Sequence, residues 1–139
     1  MFLLDTNVVS EPRKLPAGRA NTGVATWAAS VSSAAMFLSV ISLHELELGV
    51  LLAERSDPAK GQVLRAWLVE TVVPAFNGRI VPIDQDVATQ SAKLHVPDPA
   101  LYRDAFIGAT ALVHGMTVVT RNAHDFAGFP DALVLNPWI

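Results

Sequence analysis

The sequence predicts an α/β fold with about five mostly parallel strands, on two observations. Five short apolar runs recur along the chain, and the segments between them carry helical spacing and are long enough to cross back over a sheet. Acidic residues also stand beyond the ends of those runs, where ligands bind in open parallel sheets. Asp5 closes the run from Phe2 to Leu4, Glu45 follows Met36 to Ile41, and Asp125 follows Thr117 to Thr120.

Phe2 to Asp5 reads as a short buried strand, followed by a turn through Glu11, Pro12 and Pro16 and a helix clearest over Val24 to Val31. Met36 to Ile41 is the second strand. Ser42 can cap the next helix, which runs to about residue 55, and Pro58 with Ala59 opens another that carries Leu64, Trp67, Leu68 and Val72. Gly78 precedes a strand from Arg79 to Ile83, and Asp84 opens a helix to about residue 94. Asp98 and Pro99 read as the cap and first residue of a helix ending near His114, where Gly115 supplies a left-handed stop. Thr117 to Thr120 and Leu133 to Leu135 complete the strands. There is no linker, repeat or low-complexity segment, so residues 1–139 are read as one domain.

The hydrophobic fraction is 51% and the mean hydropathy +0.36, yet no apolar run reaches membrane-spanning length. Asp5 lies too near the N-terminus for a signal peptide, and the absence of cysteine excludes disulfides and thiolate sites, which together suit the cytoplasm. A net charge of −3 argues against non-specific polyanion binding, so any nucleic-acid contact must rest on local positive charge or bound metal. So apolar a chain is also expected to cover surface with a partner or a second copy.

Asp5, Glu45, Asp104 and Asp125 form the candidate site. With no histidine or cysteine among them, their all-oxygen donor set favours a hard cation such as Mg²⁺ or Mn²⁺ over zinc. Asp104 lies on the face of its helix that also carries Ile107, Gly108 and Ala111, and a carboxylate there needs a cation or hydrogen bonds. The structural alternative, a salt bridge to Arg103 or Arg121, is the weaker of the two readings. Glu45 could instead close a capping box with Ser42, Glu47 competes for its role, and Asp125 could be a solvated turn residue. Such carboxylates suit phosphodiester hydrolysis, in which divalent ions activate water and stabilise attacking and leaving oxygens. Thr6 and Thr120 could position ligands or water, Asn7 and Asn122 could hydrogen-bond the carboxylates, and Arg121 could meet a phosphate or pair with Asp125. Arg13 and Lys14 are the other positive pair near this rim, with a solvated loop as their ordinary reading. The four histidines lack zinc spacing, and no dinucleotide, P-loop or GxSxG motif occurs.

Three segments resemble the PIN-domain ribonucleases, in particular the VapC-type toxins of type II toxin–antitoxin modules. FLLDTNVVSEP resembles the opening strand with its first acid, SVISLHELELGVL the second-acid segment, with Glu45 selected over Glu47, and YRDAFIGATALVHGMTVVTRNAHDF the segment of the third and fourth positions. The resemblance implies a three-layer α/β/α sandwich and a Mg²⁺- or Mn²⁺-dependent endoribonuclease. It also implies a homodimer and a cognate antitoxin whose peptide enters near the site. The terminal LNPW resembles a subgroup whose complexes bind DNA through the antitoxin. Many relatives carry an acid directly after the TR dipeptide, where this chain has Asn122, so the fourth position falls to Asn122 or Asp125. The contrasting reading is a catalytically silent interaction domain whose acidic pocket receives a basic side chain of a protein partner.

Overall fold

A computed structural model describes residues 1–139, apart from the side chains of residues 15–17. Five strands, β1 (Phe2–Leu4), β2 (Met36–Ser39), β3 (Ile80–Val81), β4 (Thr117–Val119) and β5 (Leu133–Leu135), form one sheet in the order β3-β2-β1-β4-β5. Every pairing is parallel, with Leu3 opposite both Phe37 and Val118. Strand side chains alternate between the two faces of a sheet, and both faces here are covered, which is why the runs are apolar throughout. Leu3, Val81 and Val118 pack on one face; Leu4, Leu38 and Val119 pack on the other.

Each face has its own helical layer, giving the expected sandwich. On the first lie α6 (Gln85–Lys93) and α7 (Tyr102–His114), which contribute Val87, Ala105, Ile107, Ala109 and Ala111. On the second lie α1 (Thr6–Ser10), α2 (Thr22–Ser30), α3 (Val40–Ser56) and α4 (Pro58–Trp67). A π-helical turn (Leu68–Val72) and α5 (Val73–Ala75) prolong α4, and the turn buries Leu68 and Val72. Among the described residues, no helix is long and apolar enough to cross a membrane.

Local chemistry sets the helix ends. Asn21 caps α2 by accepting from the Gly23 N–H at 3.0 Å, Asp57 caps α4 ahead of Pro58, and the Asp84 carboxylate accepts from the Val87 N–H at 2.9 Å. Gly115 ends α7 at φ 65°, a conformation that costs other residues a steric penalty. Gly108 allows α7 to lie against the Phe129 ring, since a Cβ at 108 would stand 2.7 Å from Phe129 Cδ2.

Three boundaries differ from the sequence reading by two residues or more. The second strand stops at Ser39, whose hydroxyl accepts from the Ile41 N–H at 3.0 Å and starts α3 there; Ser42 is inside the helix and caps nothing. The third strand is shorter than Arg79 to Ile83, because β3 pairs with β2 only over Ile80 and Val81. Asp98 and Pro99 do not start α7, whose N-cap is Leu101. The Ala100 N–H donates to His95 Nδ1 at 3.1 Å, so the backbone group a cap at Asp98 would need is already engaged. The turn after α1 is a 3-10 helix, Glu11–Ala17, and the Pro16 side chain falls outside the described residues.

Candidate active site

The chain runs from β1 outward to β2 and β3 and then returns to β4 on the other side of β1, so a crevice opens between the ends of β1 and β4. Asp5 stands there as the N-cap of α1 and is 1% exposed. Its Oδ1 accepts from the Thr6 N–H at 2.7 Å, and its Oδ2 accepts from the Thr120 hydroxyl at 2.7 Å. Thr120 also accepts from the Asn122 N–H at 3.0 Å, which fixes its hydroxyl toward the carboxylate.

Glu45 reaches the same crevice from α3. Because Ser39 performs the capping, the Glu45 carboxylate is not drawn back to Ser42; its Oε1 accepts from the Thr6 hydroxyl at 3.0 Å. Glu47 faces elsewhere and receives the Arg65 guanidinium, with bonds of 2.7 and 2.8 Å. That separation is the difference of helical faces expected two residues apart.

Asp104, in the first turn of α7 and 6% exposed, brings the third carboxylate. Between the three lies Arg103, half-buried. Its Nε donates to Glu45 Oε2 at 2.7 Å, its Nη1 to Asp104 Oδ1 at 2.9 Å, and its Nη2 to Asp5 Oδ1. Burial raises the Asp104 carboxyl above the usual range, and the fields of Asp125 and Asp5 add to the rise; the Arg103 bond and charge oppose it without cancelling it. Burial alone would lower the Arg103 guanidinium, but the bonds to Glu45 and Asp104 and the charges of Asp5 and Glu45 raise it instead. The sequence offers Arg103 only as an alternative partner for Asp104; its contacts to Asp5 and Glu45 are the feature that reading missed.

Asp125 does not join this group. It is exposed, pairs with His124 Nε2 at 3.0 Å, and touches the site only through its field on Asp104. Asn122 contributes its backbone N–H to Thr120. Asn7 Oδ1 accepts from the Arg121 N–H at 3.3 Å, which ties the end of β1 to the end of β4. The Arg121 guanidinium lies over the Trp138 ring, 5.8 Å from its centroid, and is not paired with Asp125. Trp138 is partly buried against the second core, which docks the C-terminal tail. Arg13 stacks on Trp67 at 4.7 Å, while Lys14 pairs with Glu11 at 2.9 Å. Thr6, Arg13, Glu45 and Trp67 line a cleft of about 180 Å³ that opens beside the carboxylates.

Asp5, Glu45 and Asp104 supply oxygen alone, which fits a hard divalent cation. They surround a guanidinium, and among the described residues no three acidic or histidine groups stand close enough to share one ion in this arrangement. The site therefore has the donor chemistry for such an ion, with its own arginine placed among the donors.

A parallel sheet in this order, with acids from β1, α3 and α7 gathered at its switch point, defines a class of protein, and comparison with known proteins names it. The PIN domain family matches residues 2–131, and the chain belongs to that family. It is 39% identical to Toxin FitB of Neisseria gonorrhoeae over 144 residues, covering 99% of each chain, and 33% identical to VapC ribonuclease Y4jK of Sinorhizobium fredii, covering 99% of this chain and 98% of the relative. The crystal structure of FitAcB from Neisseria gonorrhoeae superposes with a TM-score of 0.88 at 37% identity, covering 99% of each chain. The structure of FitAB bound to an IR36 DNA fragment gives 0.87 at 36%, covering 100% of this chain and 96% of that one.

Proposed function

We propose that this chain is a Mg²⁺- or Mn²⁺-dependent endoribonuclease, the toxin of a type II toxin–antitoxin pair, acting in the cytoplasm as one domain over residues 1–139. The observation that carries the proposal is the convergence of Asp5, Glu45 and Asp104, 40 and 59 residues apart in sequence, around the Arg103 side chain at the switch of the sheet. Similarity to a toxin and to a VapC ribonuclease across nearly the whole chain supports RNA as the substrate.

In this reading Asp5 and Asp104 hold the ion, and Glu45 shares or positions it. Bound there, the ion would supply Lewis acidity to activate water and to offset charge developing on the phosphate oxygens. Thr120 and Thr6 keep the Asp5 and Glu45 carboxylates aimed at that point. Asn122 and Asn7 stiffen the loop after β4 that carries Thr120, and Asp125 assists from the rim through its charge. In this reading Arg121 and Arg13 would meet the RNA backbone. Attack by water needs no 2′-hydroxyl and leaves a 5′-phosphate and a 3′-hydroxyl, so preference for RNA arises from binding.

Apolar surface supports the partners. Leu46, Val50, Leu68 and Val72 are buried, whereas Leu48, Leu51, Leu52, Val63, Val69 and Val73 remain exposed on α3, α4 and the turns that follow. This surface suits a second copy of the chain and a cognate antitoxin, through which DNA would be bound indirectly. The test is cleavage of single-stranded RNA by the purified chain. Chelation with EDTA should abolish it, Mg²⁺ or Mn²⁺ should restore it, and Asp5→Asn should lower it at least a hundredfold with the fold retained. Full activity in excess chelator would refute the mechanism. One observation favours the rival interaction-domain reading: the acidic pocket already accommodates an arginine. That reading requires no RNA cleavage under any metal condition.

A further inference from the structure

The three bonds made by Arg103 are unlike an ordinary ion pair. Each of its three nitrogens serves a different carboxylate, and those carboxylates come from the end of β1, from α3 and from α7. The remaining contacts of two of the acids point the same way. Thr120 holds Asp5 Oδ2 and Thr6 holds Glu45 Oε1, and Arg103 binds the other, inward oxygen of each, which in Asp5 is also the acceptor of the Thr6 N–H. A divalent ion ligated by Asp5, Glu45 and Asp104 would draw on the same inward set.

We propose that Arg103 is a positioning residue that competes with the divalent ion: it gathers the three carboxylates in the metal-free protein, releases them when the ion binds, and so sets the metal affinity. This rests on the metal-site reading above. Three carboxylates crowded in a crevice repel one another, and a guanidinium, which stays charged at every working pH, offsets part of that repulsion. The same charge opposes the arrival of a second cation. Release is sterically open, because the Arg103 side chain is 29% exposed and follows Tyr102, which is 74% exposed at the start of α7. No unwinding of the helix is needed for the guanidinium to turn outward.

The proposal separates two quantities that a purely structural arginine would move together. Mn²⁺ binding to the full chain is measured by titration calorimetry for wild type, Arg103→Gln and Arg103→Lys, and thermal unfolding is followed in EDTA and in Mn²⁺. Arg103→Gln should melt lower than wild type in EDTA yet bind Mn²⁺ at least tenfold tighter, equivalent to about 1.4 kcal/mol. Its melting temperature should therefore rise more on adding Mn²⁺. Arg103→Lys, which keeps the charge but not the three-way geometry, should fall between the two. If Arg103→Gln is unfolded in EDTA, Mn²⁺ should restore a cooperative transition; a variant that Mn²⁺ does not rescue overturns the proposal. Wild type binding Mn²⁺ while Arg103→Gln binds equally or more weakly also overturns it and leaves the metal site standing. No Mn²⁺ binding by any of the three proteins overturns both.

Discussion

Replacing Thr120 by valine keeps the shape of a fully buried side chain and removes one hydroxyl, so it isolates what holds Asp5 in place. That hydroxyl donates to Asp5 Oδ2 at 2.7 Å and accepts from the Asn122 N–H at 3.0 Å. A hydrogen bond to a charged group contributes roughly 1.5–3 kcal/mol, and the buried carboxylate oxygen has no solvent to turn to. The added methyl returns about 0.8 kcal/mol of burial, which leaves a net loss of about 1.5 kcal/mol. With an unfolding entropy of roughly 2.1 cal/mol/K per residue, a chain of this length should melt about 5 °C lower. Urea unfolding would give the free energy directly, with Thr120→Ser as a control that retains the hydroxyl. Cleavage should fall further than stability does, since Asp5 would lose its aim as well as a bond. A Thr120→Val protein within about 0.5 kcal/mol of wild type would show that this bond neither stabilises the fold nor orients Asp5.

Two further outcomes are expected. Glu11 is buried; burial raises its carboxyl, but Lys14, the Asn21 N–H and the charge of Arg121 outweigh this and hold it below the ordinary range. A depressed folded value means the stabilisation is present at neutral pH and is lost as pH falls through that value, so Glu11→Gln should melt a few degrees lower at pH 7, with the gap closing on acidification below about pH 4.5; a gap that persists in acid would refute the charge-based account. Asp125→Asn should cut cleavage less than Asp5→Asn, because Asp125 acts on Asp104 only through its field, and an equal loss in the two variants, measured over a range of Mn²⁺ concentrations, would place Asp125 among the direct ligands.

The sheet was legible because burial on both faces makes each strand an uninterrupted apolar run, and five such runs with helical spacers leave few topologies open. Boundaries were legible where one side chain decides them, as at Pro58, Asp84 and Gly115. They were misread where two residues offered the same signal. Ser39 and Ser42 are both competent caps, and the apolar pair Val40 and Ile41 between them reads equally well as strand or helix. Only the pairing of β2 with β3, which ends at Ser39 opposite Val81, settles the choice.

The same shift of three residues governs how much of the site could be read. With Ser42 as the cap, Glu45 would fall at the position of a capping-box acid and its carboxylate would be consumed locally; with Ser39 as the cap it lies a turn further into the helix and is free to reach Thr6 and Arg103. Asp5 and Asp104 were easier, because an acid at the end of a buried strand or on an apolar helix face needs a reason to be there. Arg103 was harder for the opposite reason. A helix turns about 100° per residue, so the neighbour of a buried acid reads as rim or solvent, and nothing local in YRDAF marks a side chain long enough to come back across Asp104 to two acids from other elements. Pattern along the chain registers where a side chain starts, and for arginine, whose charge lies five bonds or more from its Cα, the start decides least about what the charge meets.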